Sequence, residues 1–375
     1  MIYFDNAATG GFKPRAVTDA ADTILRYLSA NPGRSGHRLS LTGAKTVDNT
    51  RTAVAELFCA SPDRVIFTKN CTEALNFAIF GSLKEGGHVI TTCYEHNSVL
   101  RPLCALKNRN FIDFDVVYPK EGVSLSELIK EKIRPETYLI ITSAVSNVTG
   151  ELLPILEIGK IAKENGLLYI LDGAQGGGHV NIDVKKCNVS YLTLAGHKGL
   201  YGIMGSGVLI LSDDCDLEPI IFGGTGSESF NCNQPLCYPE KLEAGTLNLP
   251  AIAALGEGVR YVKNNLSTFA NHLISATSTL ISGLNKISTI RCFSSPNPAG
   301  IVAFSDKYIT SAQLSDILNS KYDIAVRGGF HCAPLMHKHL KTDSEGLVRV
   351  SLAVQNTSRE IFYFLSSLEK IVKTN

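Results

Sequence analysis

Leu192-Thr-Leu-Ala-Gly-His-Lys198-Gly-Leu-Tyr-Gly202 is the stretch on which the fold turns. A short apolar run stops at small residues, and the turn that follows sets His197 beside Lys198 before more glycine. Such punctuation marks the end of a strand and the start of a loop, and strand ends are where α/β proteins gather their chemistry. Twenty-six residues before Lys198, a second apolar run from Leu167 to Leu171 ends on Asp172-Gly-Ala-Gln175. Two successive strands thus deliver an acid and a lysine to one edge of a sheet.

Outward from this pair the alternation continues. Strands are expected at 64–68, 88–92, 138–143, 168–172, 191–194 and 207–211, with helices at 70–80, 97–108, 124–133 and 154–165. Strand, helix, strand repetition predicts an α/β unit whose sheet is parallel or mostly parallel and covered on both faces. Before it come an extended arm and helices at about 14–29 and 40–59, separated by the loop Asn31-Pro-Gly-Arg-Ser-Gly36. After Pro250 a long helical stretch runs to about residue 284. Strands at 300–305, 324–327 and 347–353 and helices at 311–320 and 358–373 then predict a smaller α+β unit. The expected division is an arm over 1–14 packing near the active site and the small domain, a large domain over 15–262 and a small domain over 263–375 that carries the cysteine loop.

The chain has 375 residues, enough for a large core in two domains. Its 36 basic and 35 acidic side chains nearly cancel, so nothing in its charge calls for nucleic acid or an anionic membrane. No run approaches the roughly 18 apolar residues of a membrane span. No basic patch followed by an apolar segment opens the chain, and a cytoplasmic location is expected. Ten cysteines without any Cys-x-x-Cys are expected to be reduced, small core residues rather than a disulfide framework or a zinc ribbon.

A single lysine is most often a solvated surface residue, and a single strand-end aspartate a turn former. Together at one sheet edge they are the pair that pyridoxal phosphate (PLP) requires: a lysine to bond its aldehyde carbon and an acid to keep the pyridine nitrogen protonated. Alongside Tyr3-Phe-Asp-Asn-Ala-Ala-Thr9, the segments Asp172-Gly-Ala-Gln175, Gly196-His-Lys198, Glu243-Ala-Gly-Thr246 and Arg327-Gly-Gly-Phe-His-Cys332 carry a resemblance. The chain resembles the class V aminotransferases, and among them the cysteine desulfurases and selenocysteine lyases, over almost its whole length. The resemblance implies the PLP-dependent transferase fold of the aspartate aminotransferase type (fold type I), PLP as cofactor, and a homodimer.

Asn70-Cys-Thr-Glu73 opens a helix directly after a strand, where unpaired amides and the helix dipole favour an anion. A plain N-cap by Asn70 explains the same residues. The resemblance makes this turn the phosphate grip, with Cys71 and Thr72 in it and His197 reaching the same group. It assigns His96 to stacking on the cofactor ring and proton movement, Asn147 and Gln175 to the ring oxygen, and Asp172 to the pyridine nitrogen. Lys198 is the bonded lysine, and Thr246 reaches the neighbouring subunit's phosphate. The sequence departs from the pattern at Ala195, where many relatives place a hydroxyl, and it carries an extra Gly199 as in a subgroup. The glycine-rich 222–229 segment lacks the lysine of a nucleotide loop, so ATP is not expected.

Cys332 lies in a loop marked by glycine and proline with Arg327 and His331 close in sequence, and neighbouring positive charge favours a thiolate. The resemblance places the persulfide-forming cysteine here, in a compact loop of the kind that hands sulfur to a dedicated acceptor protein. Arg349 matches the arginine that holds the substrate carboxylate, a task suited to a planar guanidinium; Asn147 and Arg327 complete the expected substrate contacts. His331, Cys332, His337 and His339 are also potential metal ligands, but their spacing fits no zinc pattern and no metal is expected. The activity implied is removal of sulfur from L-cysteine to leave L-alanine, with the sulfur held on Cys332. Selenocysteine lyase, transamination and epimerisation stay open, as does an idle binding protein, against which the Lys198–Asp172 pair counts.

Overall fold

The computed structural model describes residues 1–374. Along the chain come β1 (Ile2–Tyr3), α1 (Arg15–Tyr27), α2 (Arg38–Phe58), β2 (Val65–Thr68), α3 (Cys71–Gly81), β3 (Gly87–Thr92) and α4 (Asn97–Asn108). They are followed by β4 (Ile112–Val117), α5 (Leu125–Lys130), β5 (Thr137–Ser143), α6 (Ile155–Glu164), β6 (Leu168–Asp172), β7 (Tyr191–Ala195) and β8 (Gly207–Leu211). β5, β7 and β8 bury every residue, which is why they read as continuous apolar runs without alternation. The sheet order is β2-β8-β7-β6-β5-β3-β4, and β8 alone runs against the others. The expected mostly parallel sheet is therefore present, with one strand more than expected. β4 escaped because Asp113 and Asp115 interrupt its apolar residues, as suits an edge strand with one wet face.

The chain continues through α7 (Leu249–Lys263), α8 (Leu266–Leu284), β9 (Ile290–Cys292), β10 (Ile301–Asp306), α9 (Ser311–Tyr322) and β11 (Ile324–Ala325). Last come β12 (Arg327–Gly329), α10 (Pro334–Leu340), β13 (Leu347–Ser351) and α11 (Ser358–Thr374). β12-β13-β10-β9 form a second, antiparallel sheet. The single helix expected after Pro250 is two. The chain breaks at Asn264-Asn265, where the Asn265 side chain donates to the Tyr261 carbonyl (2.8 Å) and so draws the backbone out of the helical ladder. The strand expected at 324–327 is likewise split at Val326. The stretch after Cys332, read as loop, forms the short α10, with Pro334 at its first turn where a missing N–H costs nothing.

Both faces of the large sheet are packed; on one side α3, apolar nearly all round, lies beneath β7 and β8. The small sheet has its own core, and Phe4 of the arm is fully buried in it, edge-on to Phe364 at 5.9 Å. The arm strand β1 pairs in parallel with β11 as a separate two-stranded sheet, and the arm is tied to β13 beside it. Phe4 N–H donates to the Ala325 carbonyl and Ser351 N–H to the Phe4 carbonyl (2.9 and 2.7 Å). In the large sheet, Ser143, Asp172 and Thr193 stand in register at neighbouring strand ends. That shared edge carries the candidate site.

Candidate active site

Cys71, Thr72, His96 and Asn147 line one cavity at this edge, together with Asp172, Gln175, His197 and Lys198. Asp172 is held at the end of β6 by the Ala174 amide, which donates to Oδ1 at 2.9 Å, and by the Cys71 thiol at 3.5 Å from the same oxygen. Burial draws the Lys198 ammonium below its ordinary basicity, opposed by the negative side of Cys71 and Asp172. The turn that holds Lys198 is pressed against the glycines after Gln175. A Cβ on Gly199 would meet the Gly177 carbonyl at 2.4 Å, so the additional glycine of the lysine motif is a packing requirement.

His96 caps α4. Its Nδ1 accepts from the Ser98 amide at 3.1 Å, which leaves Nε2 for the cavity. Burial lowers its pKa, with Asp172 pulling the other way. His197 is drawn to about 4, by burial first and then by Lys198 and Lys13, so it is a neutral ring. Its Nδ1 lies 3.1 Å from Thr9 Oγ1 of the arm. The Gln175 amide donates to the Ala7 carbonyl at 2.9 Å, also in the arm.

At the expected phosphate end, Asn70 Oδ1 accepts from the Glu73 amide, and Cys71 and Thr72 line the cavity. Ala195 lines the same cavity without a hydroxyl. Ser98, also in the lining, has its Oγ 2.8 Å from Thr72 Oγ1. Ser98 was not singled out from the sequence; its position one residue inside the helix that His96 caps was the available signal. Thr246 lies outside this cavity, exposed, on a second one that also takes in His197 and Asn70. The segment leading to it is anchored by Glu243, which is buried against the Arg51 guanidinium and also accepts from the Phe67 amide (2.7 Å).

The cysteine loop enters from the small sheet. Cys332 is partly exposed, and Arg327 Nη2 stands 3.9 Å from its sulfur. His331 does not share that charge. It is buried, gives Nε2–H to the Leu347 carbonyl (3.1 Å), and burial with the Arg349 charge drives its pKa far down. Two successive residues, His331 and Cys332, adopt left-handed backbone (φ 49° and 58°), costly for side chains with a Cβ and characteristic of functional turns. Contacts with the cavity hold that turn: the Asn97 amide donates to the Cys332 carbonyl (2.8 Å), and the Asn147 side chain to the His331 carbonyl (2.6 Å). His337 is buried beside Thr342, while His339 packs on Tyr118. Among the described residues no three histidine, cysteine or acidic side chains are grouped as a metal would need.

Arg349, from the middle of β13, is 1% exposed. Nη1 donates to the Asn147 carbonyl at 2.9 Å and Nη2 to Asp5 Oδ1 at 3.0 Å, while Nε has no partner. Neither Asp5 nor Glu95 was picked out from the sequence. Glu95 is wholly buried and takes hydrogen bonds from Thr92 Oγ1 (2.6 Å), Ser143 Oγ (2.7 Å) and the Ser143 amide (3.1 Å); burial pushes its pKa up to about 8.

The residues present fit PLP. A lysine of lowered basicity faces an aspartate, and hydroxyls stand at the opening of a helix. The buried Asn147 Oδ1 has no donor in the protein and suits a phenolic hydroxyl.

The chain belongs to the family described as Aminotransferase class-V, whose model matches residues 2–364. A probable cysteine desulfurase of Pyrococcus abyssi is 33% identical, the match covering 100% of this chain and 95% of that protein. The protein named cysteine desulfurase IscS in Methanosarcina thermophila is 29% identical over 99% of this chain and 92% of its own. Among solved structures, the apo cysteine desulfurase of Thermococcus onnurineus superposes with a TM-score of 0.93 at 30% identity, covering 100% of this chain and 95% of that one.

Proposed function

We propose that the chain is a PLP-dependent cysteine desulfurase that converts L-cysteine to L-alanine, holds the sulfur on Cys332 as a persulfide and yields it to an acceptor. PLP, when bound, withdraws electrons from the substrate carbon through its protonated ring. Asp172 keeps that ring nitrogen protonated, and Lys198, once free, takes the proton from the substrate Cα. His96, with Nε2 unengaged, relays protons on the face it covers. Cys71, Thr72, Ser98 and His197 supply the phosphate end, Ser98 offering the hydroxyl that Ala195 lacks. Asn147 and Gln175 belong to the ring oxygen, and Arg349 with Asn147 and Arg327 to the substrate carboxylate.

The observation that carries the reading is the tether between the two halves of the site. The Cys332 carbonyl is bonded to the amide of the residue after His96, which supports the loop cysteine serving a cavity fit for PLP. The Cys332 thiolate attacks the substrate sulfur, a sulfur–sulfur bond forms, and the carbon–sulfur bond breaks with its electron pair left on carbon. That carbon is then protonated to the methyl of alanine.

Thr246 is exposed beside the cavity and not in it, which supports its completing the site of a second copy, and hence a homodimer. A boundary between domains at 262/263, with the arm at 1–14, is supported by the break at Asn264-Asn265. No helix among the described residues is long and apolar enough to cross a membrane. Ten unpaired thiols suit a cytoplasmic setting. Product analysis with L-cysteine and L-selenocysteine tests the whole: alanine with enzyme-bound persulfide from cysteine is expected. Alanine from selenocysteine alone points to a lyase instead, and neither product removes the reading.

A further inference from the structure

We propose that Asp5 is a positioning residue for the substrate carboxylate: it fixes one corner of the buried Arg349 guanidinium so that the remaining N–H groups meet the amino acid. This rests on the desulfurase reading only for the identity of the substrate. A guanidinium has five N–H donors. The Asn147 carbonyl takes one from Nη1 and Asp5 Oδ1 one from Nη2, at 2.9 and 3.0 Å. Three remain, including Nε–H, which is buried and without a partner. A buried donor in that state asks for an explanation, and a carboxylate taking two parallel N–H bonds is the ligand its fork geometry suits.

Asp5 is itself held from both sides. It bridges to Ser351 of the strand that carries Arg349, and the next residue, Asn6, donates its amide to the Ser351 carbonyl. Ala7 N–H donates to Ser351 Oγ at 2.9 Å, while the Ala7 carbonyl accepts from Gln175 in the cavity wall. The carboxylate therefore reaches Arg349 from a backbone anchored to both sheets. Without it the guanidinium is a buried charge lacking its counter-ion. It then relaxes towards solvent or takes up a buffer anion, and the substrate has to reverse either change.

The test uses PLP-loaded enzyme and compares L-alanine with L-alaninamide, which differ in the negative charge of the carboxylate; binding is followed by the visible absorbance of the cofactor. Asp5→Asn is expected to weaken L-alanine about tenfold and to leave L-alaninamide within about twofold, with the KM for L-cysteine rising more than kcat falls. Asp5→Glu, which keeps the charge, is expected to recover part of the loss. Equal weakening of both ligands, unchanged affinity for L-alanine, or tighter binding of it overturns the proposal. If Asp5→Asn does not load cofactor, Asp5→Glu decides alone, through the same selective effect on L-alanine. Because the readout is affinity, failure of wild-type enzyme to desulfurate cysteine overturns the desulfurase reading and leaves the Asp5 result standing by itself.

Discussion

Cys332 has two basic neighbours in sequence, and the structure gives them opposite roles. Arg327 stands 3.9 Å from the sulfur, whereas His331 is a neutral, buried ring bonded to a carbonyl. On the proposed reading, lifting sulfur from cysteine needs that thiol, because the carbon–sulfur bond does not part readily without an acceptor nucleophile; selenium leaves with less help. Cys332→Ala is therefore expected to lose cysteine desulfuration by several orders of magnitude while keeping part of its selenocysteine cleavage, both assayed on one preparation with PLP content checked by absorbance. Glu95 offers a stability test. Its pKa rises from an ordinary 4.5 to about 8, so the folded state holds a proton that the unfolded chain has released. The stabilisation is complete below pH 4.5 and is lost as pH climbs towards 8. Glu95→Gln preserves acceptors for Thr92 and Ser143 and cannot ionise. It is expected to match wild type near pH 4 and to exceed it by on the order of 4 kcal/mol at pH 9 in urea unfolding. A more stable wild type at pH 9 would mean that the three donors keep the carboxylate ionised. Lys198 and Asp172 were legible because each ends an apolar run. Asp5, Ser98 and Glu95 were not, because what distinguishes them is a partner from a distant segment or complete burial, and neither leaves a local pattern.

Elements were legible where burial imposes a simple period and obscure where it does not. β5, β6, β7 and β8 are continuous apolar runs and were found to within a residue. β4 carries aspartates on an edge, β1 has two residues, and β9 three, so no periodicity could form. The break between α7 and α8 depends on an asparagine side chain competing for a carbonyl, which hydropathy does not register. The turn after β7 supplies a prediction of its own. Gly178, at φ +88°, and Gly199 face one another so closely that a Cβ on Gly178 would lie 2.1 Å from the Gly199 carbonyl. Gly199→Ala must push the Lys198 turn away from the strand end. The expected outcome is a loss of about 1–3 kcal/mol in unfolding stability and a fall in kcat of at least tenfold. Stopped-flow turnover and denaturant melts read the two separately, and wild-type values for both would show that the turn has room.

At the scale of the whole molecule the site draws on both sheets, the arm and, on the reading above, a second copy. Mixing Lys198→Ala subunits with Thr246→Ala subunits gives one heterodimer site with both defects and one with neither. Isolated heterodimers are expected to recover about half of wild-type activity although each parent homodimer is inactive. No recovery in purified heterodimers would place Thr246 in its own subunit's site. The α/β class and the smaller C-terminal sheet followed from the order of strands and helices. An arm packed near the active site and the small domain was also expected; the Asp5–Arg349 pair that ties it there was not legible, since the two residues lie 344 positions apart. That separation has a consequence for synthesis. At roughly 5–20 residues per second on the ribosome, the arm waits about 20–70 s for β13 to be made. Throughout that interval Phe4 has no core to enter and Asp5 no guanidinium to meet, although Asp172 and Lys198 have long since been made. A nascent chain stopped after α8 should therefore present its first residues to a protease that the finished protein resists.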